Sequence, residues 1–148
     1  MKSKYFDEFN IGDCFETEAR IVSEEEIIRF ATDFDPQLFH TDPIAAKHTR
    51  FEGLIASGMH TLSLSMGQFF RHGVLDGNNL GSPGMDDLRF LLPLRPGDTI
   101  RQIYRVTKLS PSRKKTDRGV VTMQHDTLNQ LDEVIMVFNC MHIVARRP

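Results

Sequence analysis

This sequence predicts an α+β fold in which an antiparallel sheet wraps one long central helix, and two observations carry that prediction. Composition changes once along the 148 residues: helix-favouring residues dominate before about residue 73, and strand-like alternation takes over after residue 85. Elements segregated in this way pack as helix against sheet rather than as repeating β-α-β units. The second observation is the apolar run after Ser57, through Met59, Leu62, Leu64, Met66 and Phe69 to Phe70. Its apolar residues fall on more than one helical face, which predicts a helix buried on most sides. At 148 residues and 40% hydrophobic content the chain is sized for one core, so residues 1–148 are expected to form a single domain.

Residues 13–22 alternate enough to predict a first strand. Ser23 and Glu26 then form a Ser-x-x-Glu capping box, in which each side chain serves the other residue's backbone amide, and this opens a helix through Ile27, Ile28 and Phe30. Asp35-Pro36 should close it, because the residue before a proline is pushed out of helical geometry. At Thr41-Asp42-Pro43, Asp42 is a capping residue and Pro43 fits the first helical position, where no amide is needed. A short helix then carries Ile44, Ala45 and Ala46, leaving Asp35 and His40 in the turn between two helices. Ser57 is the expected cap of the central helix. Residues 85–94, 98–109, 119–129 and 133–145 read as strands separated by turn-forming stretches, and links this short imply antiparallel neighbours. A long helix followed by an antiparallel sheet able to wrap it is the hotdog arrangement.

Charge and cysteine content exclude several function classes. Eighteen basic and 20 acidic residues, spread along the chain to a net charge of -2, give no field that favours nucleic acid or an anionic membrane, so neither is expected as a partner. Cys14 and Cys140 lie far apart without the paired spacing of a zinc or redox motif, and are expected to be packed, reduced thiols. The amino-terminal MKSKYFDEFNIGD places acidic residues where a signal peptide needs an apolar run, and no stretch approaches a membrane span, which makes the cytoplasm the expected location. His40 with His48, or His60 with His72, lacks one-face ligand spacing joined to a third ligand, so no metal is expected.

Phe30-Ala31, Asp35-Pro36, His40-Thr41-Asp42, Ala46, Phe51, Gly53, Ile55-Ala56, Gly58-Met59 and Arg95-Pro96-Gly97-Asp98-Thr99 together resemble the MaoC-like dehydratases, a family that includes the (R)-specific enoyl-CoA hydratases. The resemblance runs from Asn10-Ile11-Gly12-Asp13 to the last strands, and the Asp, four residues, His, Thr, Asp segment is its most specific part. It implies reversible hydration of a 2-enoyl-CoA thioester to a 3-hydroxyacyl-CoA, with coenzyme A present only as part of the substrate and no separate cofactor. It also implies a homodimer, or a higher homo-oligomer, in which the substrate lies between subunits.

That reaction needs a group to hold and deprotonate water, a proton source for the α-carbon, and charge stabilisation at the thioester oxygen. By the resemblance, Asp35 and His40 grip one water, with Asp35 as the base and His40 orienting the water and sharing the proton. Gly58 is the candidate oxyanion donor, because the first amides of a helix have no intrahelical partner and carry partial positive charge. Ser57 would hold that helix end in place, at a position where many relatives carry histidine. Asp42 can orient the His40 ring, but is adequately explained as a cap.

Arg113, Lys114, Lys115 and Arg118 make the one dense basic cluster, read either as a solvated hairpin connection or as a seat for the phosphates of coenzyme A. An acyl carrier protein would serve as carrier equally well. Two other readings stay open: a hotdog thioesterase, since fold alone never fixes chemistry, and a non-catalytic acyl-binding subunit of a larger dehydratase.

Overall fold

The structure, a computed structural model, describes residues 1–148. Its elements run in chain order as β1 (Cys14–Glu16), β2 (Arg20–Ile21), α1 (Glu24–Phe34), α2 (Leu38–Thr41), α3 (Pro43–Ala46), α4 (Gly58–His72), β3 (Asn79–Phe90), β4 (Thr99–Pro111), β5 (Arg118–Leu128) and β6 (Val134–Ala145). The strands form one antiparallel sheet in the order β1-β4-β5-β6-β3, with β2 also on β4. β4, β5 and β6 alternate buried and half-buried residues, and the buried set, among them Ile100, Tyr104, Met123 and Phe138, forms the core face. This is the expected hotdog: a sheet curled on the central helix α4.

The local signals act where they were read. Ser23 Oγ accepts from the Glu26 amide at 3.2 Å while Glu26 accepts from the Ser23 amide at 3.1 Å, closing the capping box of α1. The first strand, however, is not continuous over residues 13–22; it breaks between β1 and β2. Gln68 of α4 explains the break, since its side-chain amide donates to the Glu18 and Ile100 carbonyls at 3.0 Å each, diverting groups that a ladder would use. Cys140 is buried as expected, but Cys14 at the start of the outer strand β1 is exposed.

α4 also departs from expectation. Its fully buried positions are mostly polar, His60, Thr61, Ser65 and Gln68, whereas Met59 and Phe70 are exposed within the single chain. Ser65 is paired with the sheet: its hydroxyl meets Thr127 at 2.9 Å and its carbonyl accepts from Gln102, which meets His125 at 3.0 Å. β3 spans Asn79–Phe90 rather than 85–94, because the glycine-rich stretch joins β6 through bulges, with Gly81 at φ 126° and Gly84 at φ 155°. At its other end the Leu91 and Leu92 amides converge on one carbonyl, that of Ile135, and Pro93 has no amide to extend the ladder. The chain then meets the segment that leads into α4, where the Ala56 amide bonds to the Leu94 carbonyl at 2.8 Å. That turn of chain makes one wall of the site.

Candidate active site

α1 ends at Asp35, whose amide still bonds the Ala31 carbonyl at 2.9 Å before Pro36 diverts the chain. His40 follows on the one-turn helix α2 rather than in an open turn. This turn brings His40 Nε2 to 3.3 Å from Asp35 Oδ2. His40 Nδ1 lies 2.7 Å from the Ile55 carbonyl oxygen. A carbonyl only accepts, so Nδ1 carries a proton, and Nε2 is the ring nitrogen turned toward Asp35. The Ile55 amide donates in turn to the Phe39 carbonyl at 3.0 Å, tying the two segments together.

Asp35 is held from both sides. Gln37 Nε2 donates to Oδ1 at 2.7 Å, and Ser57 Oγ donates to Oδ2 at 2.7 Å. The Gln37 amide has the largest influence on the carboxyl, and together with Ser57 and His40 it keeps Asp35 below the usual carboxylate range despite partial burial. Ser57 is fully buried, and its hydroxyl also accepts from the Met59 amide at 3.2 Å. One hydroxyl therefore caps α4 and fixes Asp35. Asp42 shows the contacts of a cap, with Oδ1 accepting from the Ile44 and Ala45 amides at 3.0 Å each; the Ile55 carbonyl, not Asp42, orients His40.

Gly58 and His40 line the same cleft of about 340 Å³, walled by Phe39, Phe51, Ile55, Phe90, Leu92 and Leu94. The Gly58 amide stands at the first position of α4, where no intrahelical carbonyl reaches it. The space beside Gly58 is not open: a Cβ there would come within 2.6 Å of the Phe90 ring. Glycine is needed for Phe90 to lie over the start of the helix, so Phe90 covers the candidate donor.

The basic cluster lies elsewhere. Arg113, Lys114, Lys115 and Arg118 sit on or beside the β4–β5 connection, with Arg118 paired to Asp117 at 2.8 Å. Arg118 is opposite Ala145 at the end of β6, whereas Ile135 of the cleft is near its start. β6 has 12 residues, which at about 3.3 Å each separates its ends by roughly 35 Å. The cluster does not reach the cleft of its own chain. Sequence reasoning missed Gln37, Arg50 and Phe90 at the site, and the Ile55 carbonyl as well. A polar residue two positions after Asp35 was a usable signal; a backbone carbonyl leaves none.

A sheet curled on a capped helix, with a cleft at the helix's amino end, defines a hotdog protein. Residues 8–129 match the family model described as a MaoC like domain. The chain is 36% identical over 124 residues to the uncharacterized protein YdeM of Bacillus subtilis, covering 84% of this chain and 86% of that one. The crystal structure of the MaoC-like dehydratase from Rhodospirillum rubrum superposes with a TM-score of 0.91 at 36% identity, over 99% of both chains. The R-hydratase PhaJ1 from Pseudomonas aeruginosa shares the fold, with a TM-score of 0.74 and 24% identity over 97% of this chain and 86% of its own. This chain belongs to the MaoC-like dehydratase family.

Proposed function

We propose that this protein reversibly hydrates a 2-enoyl-CoA thioester to a 3-hydroxyacyl-CoA, with Asp35 and His40 as the catalytic residues. The observation that carries the reading is their convergence at 3.3 Å beside an apolar cleft, with each side chain fixed by a partner outside the pair. A water held between the Asp35 carboxylate and the His40 Nε2 lone pair donates to both and presents its oxygen to C3 of the enoyl group. As the C3–O bond forms, a water proton passes to Asp35, the C2–C3 π electrons move toward the thioester, and negative charge collects on its oxygen. The Gly58 amide faces that oxygen once Phe90 turns aside. The proton then returns from the pair to C2 on the same face, which makes the addition syn. The lowered pKa keeps Asp35 ionised at neutral pH, so it is ready to accept a proton in the hydration direction.

A homodimer belongs to this reading. β3 is the outer strand of the sheet and carries exposed Leu80, Met85 and Phe90, followed by exposed Leu91 and Leu92. An unpaired apolar edge of this kind invites a second copy. Because Phe90, Leu91 and Leu92 also line the cleft, such a dimer would set the site at the subunit boundary. A thioesterase needs its water directed at the thioester carbonyl carbon, and no contact here favours that over attack at C3.

The test is the ultraviolet absorbance of crotonyl-CoA, and of a longer enoyl-CoA, followed with wild type, Asp35→Asn and His40→Ala. Hydration by wild type and a loss of about 10²-fold or more in both folded variants supports the dyad. Both reactions abolish the enoyl-thioester absorbance, so free thiol is titrated alongside: thiol released in step with the absorbance loss would replace hydration by thioester cleavage.

A further inference from the structure

Arg50 is the one charged side chain, His40 apart, among the residues that line the catalytic cleft; the rest are apolar except for Thr61 and Gly58. It is exposed and takes part in no ion pair with any carboxylate of the chain. It is nevertheless held in place. The guanidinium lies over the Phe51 ring at 4.7 Å, Phe51 packs on Phe39 at 5.0 Å, and Phe39 sets its edge against His40 at 4.6 Å. The Phe51 backbone is anchored on both sides, since its amide donates to Thr49 Oγ1 at 3.3 Å and its carbonyl accepts from Arg95 Nη2 at 2.6 Å. A row of rings in tilted and edge-on contact thus joins the cation to the catalytic imidazole.

An apolar cleft with a single unpaired, preorganised guanidinium is complementary to an apolar chain that carries one negative charge. We propose that Arg50 selects an acyl group ending in a carboxylate, so that the preferred substrate is the monothioester of an unsaturated dicarboxylic acid. The inference rests on the proposed hydration and names its substrate class. Coenzyme A supplies anions too, but its phosphates stand a full pantetheine arm from the thioester, whereas Arg50 shares a cleft of about 340 Å³ with His40 and Gly58. A guanidinium held over an aromatic face and paired with no carboxylate keeps N–H groups free, and two of them can grip the two oxygens of a carboxylate.

Saturated thioesters test this without requiring turnover. Glutaryl-CoA and hexanoyl-CoA, titrated calorimetrically into the wild type, differ at the acyl end in charge and little in length. The expected result is glutaryl-CoA bound about 10- to 100-fold more tightly, a charge-assisted bidentate contact. Arg50→Gln should bring that ratio near one, and Arg50→Lys should restore part of it. Absence of the preference in the wild type, binding too weak to measure included, overturns the assignment. So does an equal loss for both esters in Arg50→Gln, which would give the guanidinium to the coenzyme. Crotonyl-CoA hydration is scored separately: turnover without a glutaryl preference sinks only the substrate class, and a glutaryl preference without hydration of any enoyl ester sinks only the reaction.

Discussion

Ser57→Ala removes one oxygen atom and two jobs. The Ser57 hydroxyl accepts from the Met59 amide at 3.2 Å, capping α4, and donates to Asp35 Oδ2 at 2.7 Å, and Ser57 is fully buried. Loss of a helix cap costs about 1 kcal/mol. Loss of a hydrogen bond to a charged group costs roughly 1.5–3 kcal/mol, and here the carboxylate also stays partly screened from water. The two together predict a destabilisation of about 2–4 kcal/mol, a drop of roughly 5–15 °C in melting temperature for a chain of this size. The catalytic consequence has a defined sign. Ser57 is one of the donors that lower the Asp35 pKa, so removing it raises that pKa, and the acid limb of the kcat/KM profile moves to higher pH. Thermal melting by circular dichroism and a pH–rate profile with crotonyl-CoA measure both effects. A variant that melts within about 1 °C of wild type with an unmoved acid limb would refute the dual role of this hydroxyl.

Further expectations concern the core, the cleft and the sheet edge. His125 and His142 are fully buried among Phe69, Tyr104 and Phe138, and burial lowers them to about 3 and about 4 from 6.5. Neutral in the folded chain and protonated when unfolded, they leave stability flat above pH 6.5 and erode it as pH falls from there toward 4. Unfolding free energies from urea titrations at pH 7.5 and 5 should therefore differ by several kcal/mol, and His142→Phe should remove about half of the difference; an unchanged pH dependence in that variant would argue against it. Gly58→Ala should cost about 1–3 kcal/mol by displacing the Phe90 ring, and Phe90→Ala in the same chain should recover most of that loss, as a double-mutant cycle would show. Lysine at both Leu80 and Met85 on the outer strand should convert a dimer into monomers in sedimentation velocity, and persistence of the dimer would place the interface elsewhere.

What the sequence determined by itself are the features whose cause lies within a few residues. Ser23 with Glu26 starts α1, Asp35-Pro36 ends it, Asp42-Pro43 opens α3 and Ser57 opens α4, because caps and prolines act through backbone amides three or four positions away. The alternation of β4, β5 and β6 was legible for the same reason, since period two is a local property of a strand with one face buried. The spacing of Asp35 and His40 was readable too, although only by resemblance to a family. Tertiary structure decided the rest. Ser57 meets Asp35 across 22 positions and His40 meets the Ile55 carbonyl across 15, and neither contact has a residue-type signature. The polar inner face of α4 is met by Thr127 and Gln102 from the sheet, which pair with Ser65, and His125 holds Gln102 in turn. Gln68 breaks the first strand from 50 positions away, and Phe90 reaches Gly58 because Pro93 ends a ladder that alternation alone would have continued. Local free energies fix where helices and strands begin; which side chains then share a buried volume depends on how the whole chain closes on itself.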